Sequence, residues 1–211
     1  MIKALIFDMD GVLIDSEPLW KKAIQKVMRK YGYEFSYDMC NETKGMRVDE
    51  VTQYWKHKLN ASFEPNHTSE EIIEEVIALI KTEGTAMEGV FETIEKAKKK
   101  NLKLALASSS SMRIIETVLE KLEIKTHFEA IHSAENEVYG KPHPQVFISA
   151  ANSLSIEPQK CLVIEDSING VIAAKAAKMK VVAIPEKKEF QMTQFSIADY
   201  VLSTLSEITL D

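Results

Sequence analysis

Ile2-Lys3-Ala4-Leu5-Ile6-Phe7-Asp8-Met9-Asp10-Gly11-Val12 opens the chain, and its reading decides the fold. The apolar run from Ile2 to Phe7 reads as a buried strand. Two carboxylates close it, one residue apart. Successive strand side chains point to opposite faces, so Asp8 and Asp10 point the same way. Gly11 then lets the backbone turn sharply and removes a side chain where a ligand could approach. Two acids aimed at one spot fit a magnesium site, a nucleophile with a proton donor, or both. An Asp-rich turn that caps the next helix has the same composition.

Outward from that strand, the stretch from Ser16 to Gly84 is helical throughout. Leu19, Trp20, Ala23, Ile24, Val27, Met28 and Tyr31 recur at helical spacing, with Ser16 as N-cap and Gly32 as the stop. Val48, Val51, Trp55 and Leu59 mark a second helix. Thr68 with Glu71 forms a capping-box pattern ahead of Ile72, Ile73, Val76, Ile77 and Ile80. Trp20 and Trp55 lie on these apolar stripes, where core packing is the expected role. From Gly89 onward helices alternate with short apolar strands: a helix at 90–100, then Leu102 to Ala107; a helix around Ile114 to Leu122, then Phe128 to His132. A helix from Pro144 to Leu154 precedes Cys161 to Ile164, and one from Ile168 to Lys178 precedes Val181 to Ile184. Such alternation predicts right-handed βαβ units and a parallel sheet. The expected fold is therefore α/β: a doubly wound core (residues 1–15 and 86–211) with an inserted helical bundle (16–85). About seventy residues is far beyond an ordinary loop. An insertion at the carboxyl end of a strand sits where such folds bind ligands, and could act as a lid.

Composition narrows the options. With 211 residues and 45% hydrophobic content, the chain can bury one large core or a core plus an insertion. No run approaches the roughly 18 apolar residues of a membrane span. The N-terminus runs straight into a strand without a basic n-region, so no signal peptide is expected. Cys40 and Cys161 fit neither a disulfide framework nor a metal ribbon, which suits buried thiols in a cytoplasmic protein. Net charge is −6 with a pI near 5.5. Lysines are scattered, apart from Lys98 to Lys100 at one helix end, so nothing points to nucleic acid.

Three later segments also place polar groups at strand ends. Ala107-Ser108-Ser109-Ser110-Ser111 leads into a helix, as a phosphate cradle or a serine-rich cap would. In Gly140-Lys141-Pro142-His143-Pro144, Pro142 pushes Lys141 towards an extended conformation, where it can hold a charge over an anion. Glu165-Asp166-Ser167 closes another apolar run; its acids suit a hard cation such as Mg²⁺, or its Asp and Ser a helix cap. Jointly, acids, hydroxyls, a lysine and acids each close a strand of one parallel sheet. That coincidence favours a site.

The chain resembles the haloacid dehalogenase-like hydrolase superfamily, in its β-phosphoglucomutase-like branch. Asp8-x-Asp10-Gly11, Ser108, Lys141-Pro142 and Glu165-Asp166 fall in the family's order. The run Asp8-Met9-Asp10-Gly11-Val12-Leu13-Ile14-Asp15-Ser16-Glu17-Pro18-Leu19-Trp20 is similar to bacterial phosphatases of 2-deoxyglucose 6-phosphate and hexitol phosphates. The resemblance implies a Mg²⁺-dependent phosphatase of small sugar or polyol phosphomonoesters, working through an aspartyl-phosphate. Asp8 would be nucleophile and Asp10 general acid and base. Mg²⁺ would rest on Asp8, the Asp10 carbonyl and Asp166, with Glu165 assisting. Ser108, Ser109 and Lys141 would hold phosphoryl oxygens, and Lys44 or Arg47, in a cap loop, would reach down to the substrate. A monomer acting on a small molecule is the family default. Where β-phosphoglucomutases carry a cap histidine, ten residues after the second aspartate, this chain has Trp20, which favours hydrolysis over mutase transfer. Dehalogenases lack an acid at the position of Asp10, because a halide leaves without a proton. The alternatives are a phosphosugar mutase and a non-catalytic sugar-phosphate-binding protein.

Overall fold

A computed structural model describes residues 1–191 and 193–210. Among them, six parallel strands form one sheet in the order β3-β2-β1-β4-β5-β6. The strands are β1 (Ala4–Phe7), β2 (Lys103–Ser108), β3 (Ala130–Ser133), β4 (Cys161–Glu165), β5 (Lys180–Ala183) and β6 (Tyr200–Val201). A strand between two neighbours and two helical layers has no wet face, so β1 and β4 read as unbroken apolar runs. Alternation sorts their side chains. Leu5, Phe7, Leu106 and Ile164 face one layer with α5 (Val90–Lys99) and α6 (Met112–Lys121). Ala4, Ile6, Ala105 and Val163 face the other, with α7 (Gln145–Ser153) and α8 (Ile168–Ala176).

Between β1 and α5 come the inserted helices α1 (Glu17–Lys30), α2 (Tyr37–Glu42), α3 (Val48–Lys58) and α4 (Pro65–Glu83). Helix α4 packs against α1 and α3 and also against α6, so the apolar core on that side of the sheet continues into the insertion. The two chain crossings pair with each other: Asp15 N–H donates to Thr85 O (2.9 Å) and Met87 N–H to Leu13 O (3.1 Å). No described helix is long and apolar enough to cross a membrane. Both cysteines are buried free thiols.

One expected cap is corrected and one is met without its side chain. Thr68 does not open a helix: α4 begins at Pro65, Glu64 accepts the His67 N–H (2.8 Å), and the Thr68 hydroxyl bonds back to Glu64 O. Proline suits the first helical position because its missing N–H has no intrahelical partner to lose. Ser16 is the N-cap residue of α1, as expected, but its hydroxyl is engaged elsewhere and makes no side-chain cap bond. The short helix α2 falls inside the stretch expected to be helical, and the short strand β6 is an addition to the expected elements.

Candidate active site

Register brings the chemistry together. Phe7 on the central strand pairs with Leu106 on β2 and Ile164 on β4, so the residues that follow each emerge side by side. Strand order reverses direction at β1, the switch point where such sheets leave a crevice. The Asp8 N–H continues the ladder to Ile164 O at 2.9 Å, which fixes where its side chain starts. Asp8, Ser108, Lys141, Glu165 and Asp166 are all buried there.

Lys141 is the hub. Its Nζ donates to Asp8 Oδ1 (2.8 Å), Glu165 Oε1 (2.7 Å) and Ala107 O (3.3 Å), which uses all three ammonium protons. Burial works against the ammonium, but Asp8 and Glu165 outweigh it and hold its pKa above the ordinary value. Burial pushes Asp8 up to about 7; Lys141 opposes the rise, while Glu165 and Asp10 add to it. Ser167 donates to Glu165 Oε2 through its N–H (2.7 Å) and its hydroxyl (3.0 Å), and the hydroxyl also caps α8 by accepting from Gly170 N–H.

Carboxylate oxygens of Asp8, Glu165 and Asp166 lie within 4.8 Å of one another. Burial holds Asp166 well above the usual carboxylate range, with Lys44 opposing. Lys44 Nζ stands 2.7 Å from Asp166 Oδ2, but the contact lacks hydrogen-bond alignment, and that buried oxygen has no hydrogen-bond partner. Gly11, left-handed at φ +71°, lies against the same carboxylate, where a Cβ would collide with it. Three buried acids with an unpartnered oxygen fit a hard divalent cation, which takes oxygen ligands.

Asp10 is turned to other partners. Its Oδ1 accepts from Ser16 Oγ (2.5 Å) and Trp20 Nε1 (2.8 Å), and its Oδ2 from Ser110 Oγ (2.6 Å). Its carboxylate therefore stays out of the three-acid group. Trp20 packs as expected and does more: the ring is part-buried against the core, and its N–H serves Asp10. Ser16 and Ser110 were missed as partners of Asp10. The four-residue step from Ser16 to Trp20, one helical turn, was the available signal.

Ser108 and Ser109 fall where the serine run placed them, on a cavity of about 70 Å³ shared with Asp8, Asp10, Trp20 and Lys44. Ser109 Oγ also donates to Gly45 O in the insertion (2.9 Å), and Asn169 Nδ2 to Lys44 O (3.2 Å), so the insertion is docked over the site. Glu17 lines the same cavity, its carboxyl raised by burial. Arg47 does not reach the cavity. As the residue before α3, it faces the loop ahead of Lys141, donating through Nη1 to Ala134 O (3.1 Å) and Glu137 O (2.9 Å) and pairing with Asp49. The docking of α3, rather than the loop's spacing, decides that direction.

The chain as a whole is similar to known proteins. Residues 5–184 match the family described as haloacid dehalogenase-like hydrolase. Hexitol phosphatase B of Escherichia coli (strain K12) is 38% identical, over 99% of this chain and 95% of its own. A phosphorylated carbohydrates phosphatase of Thermotoga maritima is 32% identical, over 83% of this chain and 82% of its own. The crystal structure of β-phosphoglucomutase from Clostridium difficile superimposes with a TM-score of 0.88 at 26% identity, covering 100% of this chain and 94% of that one.

Proposed function

This chain belongs to the haloacid dehalogenase-like hydrolase family, and from that premise we propose that it is a sugar phosphate phosphatase, which hydrolyses hexose and hexitol phosphomonoesters with Mg²⁺ through an aspartyl-phosphate on Asp8. The observation that carries the reading is the division between two carboxylates two residues apart. Asp8 sits among Lys141, Glu165 and Asp166, while Asp10 is held by two hydroxyls and an indole. Unlike environments suit unlike tasks.

Asp8 attacks phosphorus: its oxygen forms the new P–O bond as the bond to the sugar oxygen breaks. Asp10 gives its proton to the leaving alkoxide, then takes one from the water that hydrolyses the aspartyl-phosphate. Lys141 and Ser108 hold phosphoryl oxygens beside Asp8. Asp8, Asp166 and the Asp10 carbonyl would hold the cation, with Glu165 assisting; magnesium, which keeps few carboxylates and takes substrate phosphate, suits the set. When bound, it offsets the repulsion between an anionic nucleophile and an anionic phosphate.

Residues 16–85 serve in this reading as a cap on a core of 1–15 and 86–211, with the paired crossings as hinge. The cavity of about 70 Å³ is well below the roughly 300 Å³ and more of ordinary ligand pockets, so in this reading the cap lifts to admit a hexitol phosphate.

The mutase neighbour carries a second reading, transfer from Asp8 to a sugar hydroxyl instead of water. Labelled hexitol and hexose phosphates separate the two. The expected result is label in free phosphate, dependent on Mg²⁺ and lost in Asp8→Asn. Label in a sugar bisphosphate would establish the mutase, and full turnover in Asp8→Asn would remove the covalent mechanism.

A further inference from the structure

We propose that Lys44 is a two-position residue that competes with the divalent cation for Asp166, so that it weakens cation binding and moves to Glu186 when the cation arrives. The inference rests on the magnesium reading of the site.

Lys44 belongs to the short segment between α2 and α3 and reaches from the insertion into the core, its side chain only 9% exposed. Three acids surround its ammonium: Asp166 Oδ2 at 2.7 Å, Glu189 Oε2 at 3.2 Å and Glu186 Oε1 at 3.6 Å. Two of those oxygens, Asp166 Oδ2 and Glu186 Oε1, are buried with no hydrogen-bond partner. The ammonium donates to Glu189 Oε2 and stands between two further carboxylate oxygens that can each accept it.

The two positions are not equivalent. Asp166 is one of the three clustered acids, whereas Glu186 and Glu189 follow β5, outside that group. Lys141 meets the charges of Asp8 and Glu165, while Lys44 is the ammonium described against Asp166. A magnesium ion sits about 2.0–2.1 Å from a carboxylate oxygen, so on Asp166 it would stand within a few ångströms of an ammonium already paired there. Like charges at that range exclude each other, and the lysine yields. Glu186 gives it a place inside the same seam, so Lys44 stays buried and paired. By linkage, whatever the ammonium gains on Asp166 the cation must overcome, and the coupling is reciprocal. Of the other charges in the seam, Glu17 is paired with Lys21 (3.5 Å), Lys21 also approaches Glu186 (3.6 Å), and Lys188 pairs with the other oxygen of Glu186 (3.2 Å), which leaves Oε1 to receive Lys44.

Mg²⁺ is titrated calorimetrically, without substrate, into the whole chain and three variants, each first checked by thermal melting. Replacing a buried ion-pair partner by an apolar residue of similar shape is often tolerated, and Lys44→Gln stands in if Lys44→Met does not fold. Lys44→Met should bind Mg²⁺ about tenfold tighter. Lys21→Met, which removes the same charge from the same seam without touching Asp166, should shift affinity much less. Glu186→Gln, which removes the second position, should bind more weakly than the parent. Equal affinity in the parent and Lys44→Met overturns the competition and leaves the magnesium reading standing. Equal tightening by Lys44→Met and Lys21→Met overturns it as well, since the effect is then one of overall charge. No Mg²⁺ binding by any protein removes the magnesium reading and this inference with it.

Discussion

Replacing Trp20 by phenylalanine deletes one N–H from the carboxylate that moves the proton and keeps an aromatic ring against the core. Asp10 accepts three donors, and the indole is one of the two on Oδ1. A hydrogen bond to a charged group contributes about 1.5–3 kcal/mol. Ser16 and Ser110 remain, so the lower figure applies, and about 1.5 kcal/mol is roughly tenfold in rate. The indole differs from the two hydroxyls in kind. Ser16 and Ser110 can donate or accept, but an indole N–H only donates. Oδ1 is thereby kept an acceptor, and the proton that Asp10 delivers belongs on Oδ2, where the Ser110 hydroxyl can turn round to accept. The assay compares kcat/KM for a hexitol phosphate and for p-nitrophenyl phosphate. That ratio covers steps up to formation of the aspartyl-phosphate, where an alkoxide needs a proton and a nitrophenolate hardly does. Trp20→Phe should lose about tenfold on the hexitol phosphate and less than about threefold on the aryl ester. Equal losses would mean that Trp20 acts through the packing of α1, and no loss on either would refute the argument outright.

Asp10→Asn should cut kcat on hexitol phosphates by about 10²–10⁴-fold, and an unchanged rate would move the proton transfer to another group. Arg47→Ala should lower kcat/KM by a similar factor on every substrate, aryl esters included, because Arg47 holds the loop ahead of Lys141 and touches no cavity wall; a selective loss would restore it to substrate contact. Gly140→Ala tests the same seam from the core side, since its Cβ would fall 2.6 Å from Glu50 Oε2 and 2.8 Å from Arg47 Cγ. Coupled residues are not additive, so the double variant should lose little more than either single one. Asp199 gives a pH signature away from the site. Burial pushes its carboxyl up, but hydrogen bonds from Lys175 and the Val181 N–H outweigh it and leave the pKa below its ordinary value. Its contribution to stability is therefore present above the unfolded value near 3.9 and lost as pH falls through the lower folded value. Melting temperatures should show Asp199→Ala destabilised at neutral pH, with the gap to the parent closing in strong acid; a gap independent of pH would refute the linkage.

The sheet was legible because central parallel strands are the simplest pattern a sequence can carry: four or five apolar residues ended by something polar. Asp8, Ser108, Glu165 and Asp166 could be found for the same reason, since each follows or ends such a run and register does the rest. The helical insertion was visible as a pattern but not as a surface. Spacing gives which residues share a helix face, and says nothing of how that helix docks on another part of the chain. Arg47 and Trp20 show the difference. Arg47 turns to the loop at 134–137, and Trp20 packs against the core as its spacing implies while its N–H also serves Asp10. The capping box at Thr68 and Glu71 failed locally instead, because Pro65 three residues earlier is a stronger start than the motif.

The same distinction separates the two aspartates. Every charged partner of Asp8 comes from the α/β part of the chain: Lys141 from the loop before α7, and Glu165 and Asp166 from the end of β4. Asp10 takes Ser110 from beyond β2 but Ser16 and Trp20 from the entry and first turn of the insertion. Strand pairing alone can assemble the nucleophile. The acid and base is complete only where the insertion meets the sheet, so its geometry depends on the docking contacts made by Lys44 and Ser109. A substitution in that seam can therefore slow proton transfer while leaving Asp8 and its lysine in place, which is why leaving-group dependence reports on the insertion more directly than the overall rate does.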